Sequence, residues 1–443
     1  MRKRGGAFAS PYLPQQTTNS MKQIIYGMIA VLLCACNSTP TFKTNSEDYQ
    51  TYLAETTVPS NSKFFDLWDA KIKSDSTQTL ALGNVAREYT RIFNETGDIN
   101  ALKQAEASLA KAVEHAAIGR AGFLRALARN YISQHRFKEA LPLAEEAKTL
   151  GGGLKATQGL LFDIHMELGE YITAKSYLHA LTNPSDFGYL IRAAKWNDHL
   201  GDIDTTIRFM EKALTKAEDA KNSQLLVWCY TNIGDFYGHA GRISDAYDSY
   251  LNALALQPSN AYAKKGIAWI LYAHEQDAQS AMDILNSTEQ YNQSLSIDLL
   301  KSEIADFMGD TALKGKTLEA FLKKAAQPSY GAMYNTHRLE IYLNDEEFTK
   351  ALELAEAEVM QRTTPETYDW LAYSHFKSGN LEKAYAIIQQ EVEGQTEEPV
   401  ALFHMAEIFK AKGKTKKVAE IKESLSEAAF ELGPLMTEEI ATL

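Results

Sequence analysis

The side chains with the clearest capacity for chemistry are two acid–imidazole pairs, Asp198 with His199 and Asp235 with His239. Residues four apart share a helix face, so Asp235 and His239 have the spacing at which a carboxylate and an imidazole can hold one divalent metal and activate its bound water. Solvent-facing or helix-capping roles account for the same residues, and a metal site would also need outer partners to orient its ligands. The remaining histidines are scattered singly, and GxSxG, HExxH, GxGxxG and phosphate-loop patterns are absent. Cys229 has no histidine and carboxylate arranged around it, which suits a buried thiol better than a nucleophile. Gly151, Gly152 and Gly153 lack the strand that precedes a phosphate loop and fall where two segments are joined. The expectation is a protein that is not an enzyme and carries neither cofactor nor metal, with a metal-dependent hydrolase on the Asp/His pairs as the remote alternative.

The elements that must position these residues are visible in Tyr230 to Pro258, YTNIGDFYGHAGRISDAYDSYLNALALQP. Counting from Val227 as position 1, Tyr230, Ile233, Gly234 and Tyr237 make one stripe of a helix. Ala246, Tyr250 and Ala253 make a stripe on a second helix, and Pro258 closes the unit at position 32. The small residues at positions 8 and 20, Gly234 and Ala246, let the two backbones approach. Position 8 recurs at Ala128, Phe162, Ala194, Gly234, Ala268, Ser302, Leu339, Ala372 and Ala406, in steps of 32 to 40 residues. Position 20 recurs at Ala140, Ala174, Ala246, Ala351 and Ala384, while Gly169, Gly201, Gly241, Gly379 and Gly413 supply the turns. In the unit at Ala268 the small residue expected at Ser280 is Ala281, which implies a slip of one residue.

This pattern resembles the tetratricopeptide repeat, whose period is about 34 residues. The resemblance implies an all-α superhelical solenoid of antiparallel helix pairs, about nine to ten repeats long, spanning 62–433 with an aromatic cap at Phe64, Phe65, Leu67 and Trp68. The lysine- and glutamate-rich helix beginning near Lys414 is expected to close the array at Gly433-Pro434, leaving 434–443 as a tail. Extra length is expected at Lys216 to Ser223 and at Asn286 to Ser294.

From Met21, MKQIIYGMIAVLLCAC places Lys22 before an apolar run from Ile24 to Leu33 that is too short to span a bilayer permanently. Leu33-Cys34-Ala35-Cys36 resembles the bacterial lipobox. The resemblance implies a signal peptide at 1–35, with the true start at Met21, cleavage before Cys36 and lipid on that cysteine, followed by a polar tether at 36–61. The implied location is the cell envelope of a bacterium of the Bacteroidota kind, on the outer membrane, with its periplasmic face favoured over the cell surface because no acidic residue follows the cysteine closely.

Cleavage would remove four cations and no acid, taking the formal charge from −12 to −16. Nucleic acid is a poor partner for such a surface, and attachment to anionic lipid would depend on Cys36. In tetratricopeptide arrays the concave face is lined by first-helix positions 2, 5, 9, 12 and 13. Carried over, these give a groove of Trp228, Thr231, Asp235 and His239, then Tyr262, Lys265, Trp269 and Tyr272; packing between helices would account for the same aromatics. Glu303, Asp306, Glu340, Glu366, Asp369 and Glu407 make the later groove acidic, fit for a basic or amphipathic peptide. The expected function is a membrane-anchored, non-catalytic scaffold binding another envelope protein or peptide through the groove. A glycan- or nutrient-capturing lipoprotein resembling the SusD class is the alternative.

Overall fold

In a computed structural model of the protein, residues 42–54, 65–72 and 77–443 are described, and those from Thr44 onward form one compact unit. Cys36 and the segment 1–35 lie outside the described residues. Among those described there are 23 α-helices and no strand. From Thr79–Thr96 with Ile99–His115 to Pro399–Ala411 with Thr415–Glu427, ten antiparallel helix pairs follow one another, the solenoid expected from the repeat.

The local chemistry of each pair repeats. Asp98, Asp186, Asp202, Asn222, Asn260, Asp277 and Asp310 each precede a helix and accept a hydrogen bond from its first-turn backbone. Within pairs the turn is a left-handed residue: Gly241 has φ 70°, and the Arg242 N–H then bonds the Tyr237 carbonyl at 2.8 Å. The glycine triplet sits instead in a connection between pairs, joining Phe137–Thr149 to Leu154–Glu167, with Gly151 and Gly153 at φ 74° and 72°.

Interlocking of small against large residues fixes the helix spacing. Ala246 and Ala253 are fully buried, and the Tyr250 ring fills the space above two glycines. A Cβ on Gly234 would lie 2.8 Å from that ring and one on Gly266 2.4 Å. The register slip at Ala281 has a physical cause. The helix Ala261–Trp269 continues as a π-helical turn, Ile270–His274, which inserts one residue into the repeat and brings Ala281, not Ser280, into the core.

Within the compact unit the superhelix closes on itself. Gln293 N–H donates to the Thr96 carbonyl at 2.6 Å, Lys138 Nζ donates to the Met360 carbonyl at 2.6 Å, and Arg362 stands 3.7 Å from Glu167. The slack at 287–294 is therefore used: it seals this seam, sharing a core with Ile99 and Leu102 through Leu295. The slack near Lys216 is divided between two helices of 17 residues each, Ile203–Asp219 and Ser223–His239.

Both ends differ from the simple expectation. Of the tether, 44–53 is docked, because Tyr49 is buried and Tyr247 Oη donates to the Asn45 carbonyl at 3.0 Å, ahead of the helix Ser46–Leu53. Of the aromatic cap, Phe65 is buried edge-on against Tyr89, Leu67 is exposed, and Phe64 lies outside the described residues. Residues 434–443 are not a tail. The chain turns at Gly433, φ 74° and ψ 173°, within Ala429–Ala441, and Leu432 and Ile440 cover Phe403 and Leu425 of the last pair. That terminal helix, rather than the lysine-rich one before it, shields the apolar end of the array.

Candidate functional site

The first helices face the lumen of the superhelix, and the expected groove residues divide there into two groups. Thr231 and Tyr272 are core. Thr231 is 6% exposed and bonds back to the Val227 and Trp228 carbonyls of its own helix at 3.1 and 3.0 Å. Tyr272 is fully buried and donates to Glu303 at 3.1 Å, because it lies inside the π turn that rotates it off the expected face.

The other six face inward but are not equally open. Asp235 accepts from Tyr250 and Tyr262, each at 2.6 Å, so both its oxygens are engaged. Burial raises its pKa, opposed by the two phenol bonds. Lys265 is enclosed beside Tyr262, its ammonium 5.1 Å from the ring centroid, and burial lowers its pKa against the pull of Asp235. The closing segment covers Trp269: its Nε1 donates to the Phe430 carbonyl at 3.0 Å. A Cβ on Gly433 would be 3.1 Å from the same indole. Phe430 rests on Gly238, and Glu431 comes within 3.8 Å of His239. The chain's own terminus thus occupies the middle of the expected groove.

Beside it a cleft of about 340 Å³ remains open between Phe187–His199 and Ser223–His239. Trp228, 39% exposed, forms one wall, with Phe236, Ile191 and Met210 as its apolar surface. Arg192 and Lys195 line it too, but each is already paired, with Asp163 at 2.6 Å and Glu167 at 2.7 Å. Asp198 has no hydrogen-bond or ion-pair partner among the described residues for its carboxylate. Its side chain is exposed, and the protein around it raises its pKa through partial loss of hydration, with His239, His199 and Lys195 opposing. Arg192, Lys195 and Asp163 were not singled out from sequence, although Lys195 and Asp163 occupy position 9 of their own units and were open to the same reasoning.

The metal alternative loses its ligands. Asp235 is committed to two phenols, and His199 stacks on Tyr171 at 4.1 Å between ring centroids. Among the described residues no group of three or more His, Cys, Asp or Glu is arranged to hold an ion. Cys229 is buried, and that burial pushes its thiol up to about 12, so it is protonated and inert at neutral pH.

The acidic later groove is largely self-satisfied. Glu303 is held by Tyr272 and Glu407 by Tyr373, Asp306 pairs with Lys314, and Asp369 pairs with His404 at 2.7 Å. Burial pushes Glu303 up to about 7, opposed by the Tyr272 bond and helped by Glu340 and Asp306.

No protein-family profile matches the chain. It is 25% identical over 286 residues, 63% of its length, to the TPR repeat-containing protein MJ1428 of Methanocaldococcus jannaschii. The match spans less than half, 45%, of that relative. In helix-pair architecture and in this stretch of sequence, the chain is therefore similar to the tetratricopeptide-repeat proteins.

Proposed function

We propose that the protein is a non-catalytic scaffold that holds another protein or a peptide through the lumen-facing first helices, and that lipid on Cys36 tethers it to a bacterial envelope membrane. The observation that carries the scaffold is the open cleft at Trp228: an aromatic wall and an apolar floor on a rigid array, with no activated nucleophile or assembled metal ligands among the described residues around it. The support for the tether is the basic residue, short apolar run and small residue before Cys36. No described helix is long and apolar enough to cross a membrane. An envelope location, with the outer membrane and its periplasmic face preferred, follows from the same segment.

The test is co-purification after mild crosslinking in the native membrane, comparing the intact protein with Cys36→Ala. One dominant envelope protein recovered with the intact form and lost with the variant is the expected result. Recovery of the same partner by an unlipidated, soluble variant would remove the tether from the account, and recovery of none would remove the scaffold.

A further inference from the structure

Part of the tether expected from the sequence is fastened to the array. The helix Ser46–Leu53 buries Tyr49 and half-buries Tyr52 and Leu53, side chains three and four apart on one face. Its start is held by hydrogen bonds. The Thr44 N–H donates to Glu275, and Tyr247 Oη donates to the Asn45 carbonyl at 3.0 Å and to the Asp48 carboxylate at 3.4 Å. Tyr247 lies on the second helix Ile243–Leu256, and Glu275 in the turn before the second helix of the next pair, Ala278–Asn286. The segment is therefore docked on the outer side of the array, behind the lumen-facing first helices. Thr44 stands only eight residues after Cys36, and eight residues reach about 28 Å at most.

We propose that this docked segment is a strap that holds the outer side of the array, around Tyr247 and Glu275, toward the lipid surface in which Cys36 is anchored. The inference rests on the lipid tether proposed above. Adhesion does not account for such a placement. The Tyr49 phenol, its pKa raised by burial and then by Asp277, Glu275 and Asp283, marks this side as acidic, and Asp48, Asp277 and Asp283 are exposed. Anionic headgroups repel such a surface. Only the covalent leash opposes that repulsion, so the length of the leash decides where the array sits. With the strap docked the leash has eight residues. With the strap released, the next docked residue is Phe65, buried against Tyr89, and the 29 residues from Cys36 to that point extend to about 100 Å. The strap thus keeps the array at the membrane surface and gives it a fixed side toward the bilayer. The Trp228 cleft is on the inner helix of the pair that carries Tyr247, and so faces away from that surface.

Energy transfer from a donor dye on the lipidated full chain to an acceptor dye on lipid headgroups tests the proposal, in vesicles of phosphatidylethanolamine and phosphatidylglycerol. Cys229 is buried, so a single introduced cysteine takes the donor. Gln279→Cys puts it near the strap, at an exposed position of Ala278–Asn286. Thr173→Cys, exposed on Tyr171–Ala180, puts it three pairs earlier, half a turn away in a superhelix where Lys138 meets Met360 six pairs further on. Transfer from Gln279→Cys should be about twice that from Thr173→Cys, because the short leash fixes which side is near the bilayer. Adding Tyr49→Ala, which removes the strap's buried side chain, should abolish the difference while circular dichroism shows the array equally helical. Equal transfer from the two positions with the strap intact, or a difference that survives Tyr49→Ala, would overturn the proposal. The mass of the peptide carrying Cys36 separates its failure from that of the tether: acyl chains present with equal transfer sink the strap alone, whereas a cysteine without acyl chains removes the tether and the strap's role with it.

Discussion

At the scale of single residues, space and charge make separate demands. Gly266 is required because the Tyr250 ring occupies the volume of its missing Cβ, and that ring is held in place by its bond to Asp235. Gly266→Ala should cost about 1–3 kcal/mol in chemical denaturation, the usual cost of overpacking a rigid contact. The reverse holds at Glu346, an exposed turn residue at φ 58° that occupies the place glycine takes in the other units. Glu346→Gly should stabilise by about 0.5–1 kcal/mol through relief of left-handed strain. Glu303 sets a pH dependence. Its carboxyl is pushed up to about 7 from an ordinary 4.5, so its contribution to stability is fully present below about 4.5 and is lost as pH rises through about 7. Four histidines, His135, His199, His337 and His375, have pKa values lowered by partial loss of hydration and act in the opposite sense below their ordinary 6.5. A variant isolates the carboxyl: Glu303→Gln, which can still accept from Tyr272, should raise the melting temperature relative to wild type more at pH 8 than at pH 5.

At the scale of elements, much of the architecture is legible in sequence and the exceptions have identifiable causes. The stripe at positions 4, 7, 8 and 11 locates the first helix of each unit, but the facing carried over from it already fails at Thr231, which is buried and bonded to its own helix. It fails again at Tyr272, because a π-helical turn leaves little trace in composition; only the displaced small residue at Ala281 signals it. The terminal helix was missed for another reason. Gly433-Pro434 does stop a helix, but whether the chain then leaves or folds back depends on Phe403 and Leu425 of the last helix pair, outside the segment itself. Gly433 should be the sensitive point of this element. Gly433→Ala would place a Cβ 3.1 Å from both Trp269 and Glu303 at a left-handed backbone, and should cost about 1–2 kcal/mol. The freed indole should shift tryptophan emission to the red; an unchanged spectrum would mean that the cover over Trp269 does not depend on this turn.

At the scale of the whole compact unit, closure of the superhelix joins units far apart in sequence, which a string of nearest-neighbour repeats does not require. Gly169 is one point of closure, where a Cβ would lie 2.3 Å from the Thr363 carbonyl oxygen. Gly413 has a similar turn, φ 68°, with nothing within 4 Å. Gly169→Ala should therefore cost clearly more than Gly413→Ala, and should enlarge the radius of gyration in small-angle scattering where the second variant does not. Closure also brings charges together along the seam, where Arg362, at the end of a second helix, stands beside Glu167, at the end of a first helix five units earlier in the chain. No periodicity within one unit announces such pairs, nor the terminal segment that lies over Trp269.

The central claim is that another protein is held at the lumen-facing cleft. It is tested most directly by mapping crosslinks from the full-length chain in its native membrane, wild type beside Trp228→Ala. The account predicts one dominant partner whose crosslinks fall on the helices Phe187–His199 and Ser223–His239, and which is lost with Trp228→Ala. A partner crosslinked only to the outer, second helices, and retained by the variant, would contradict it.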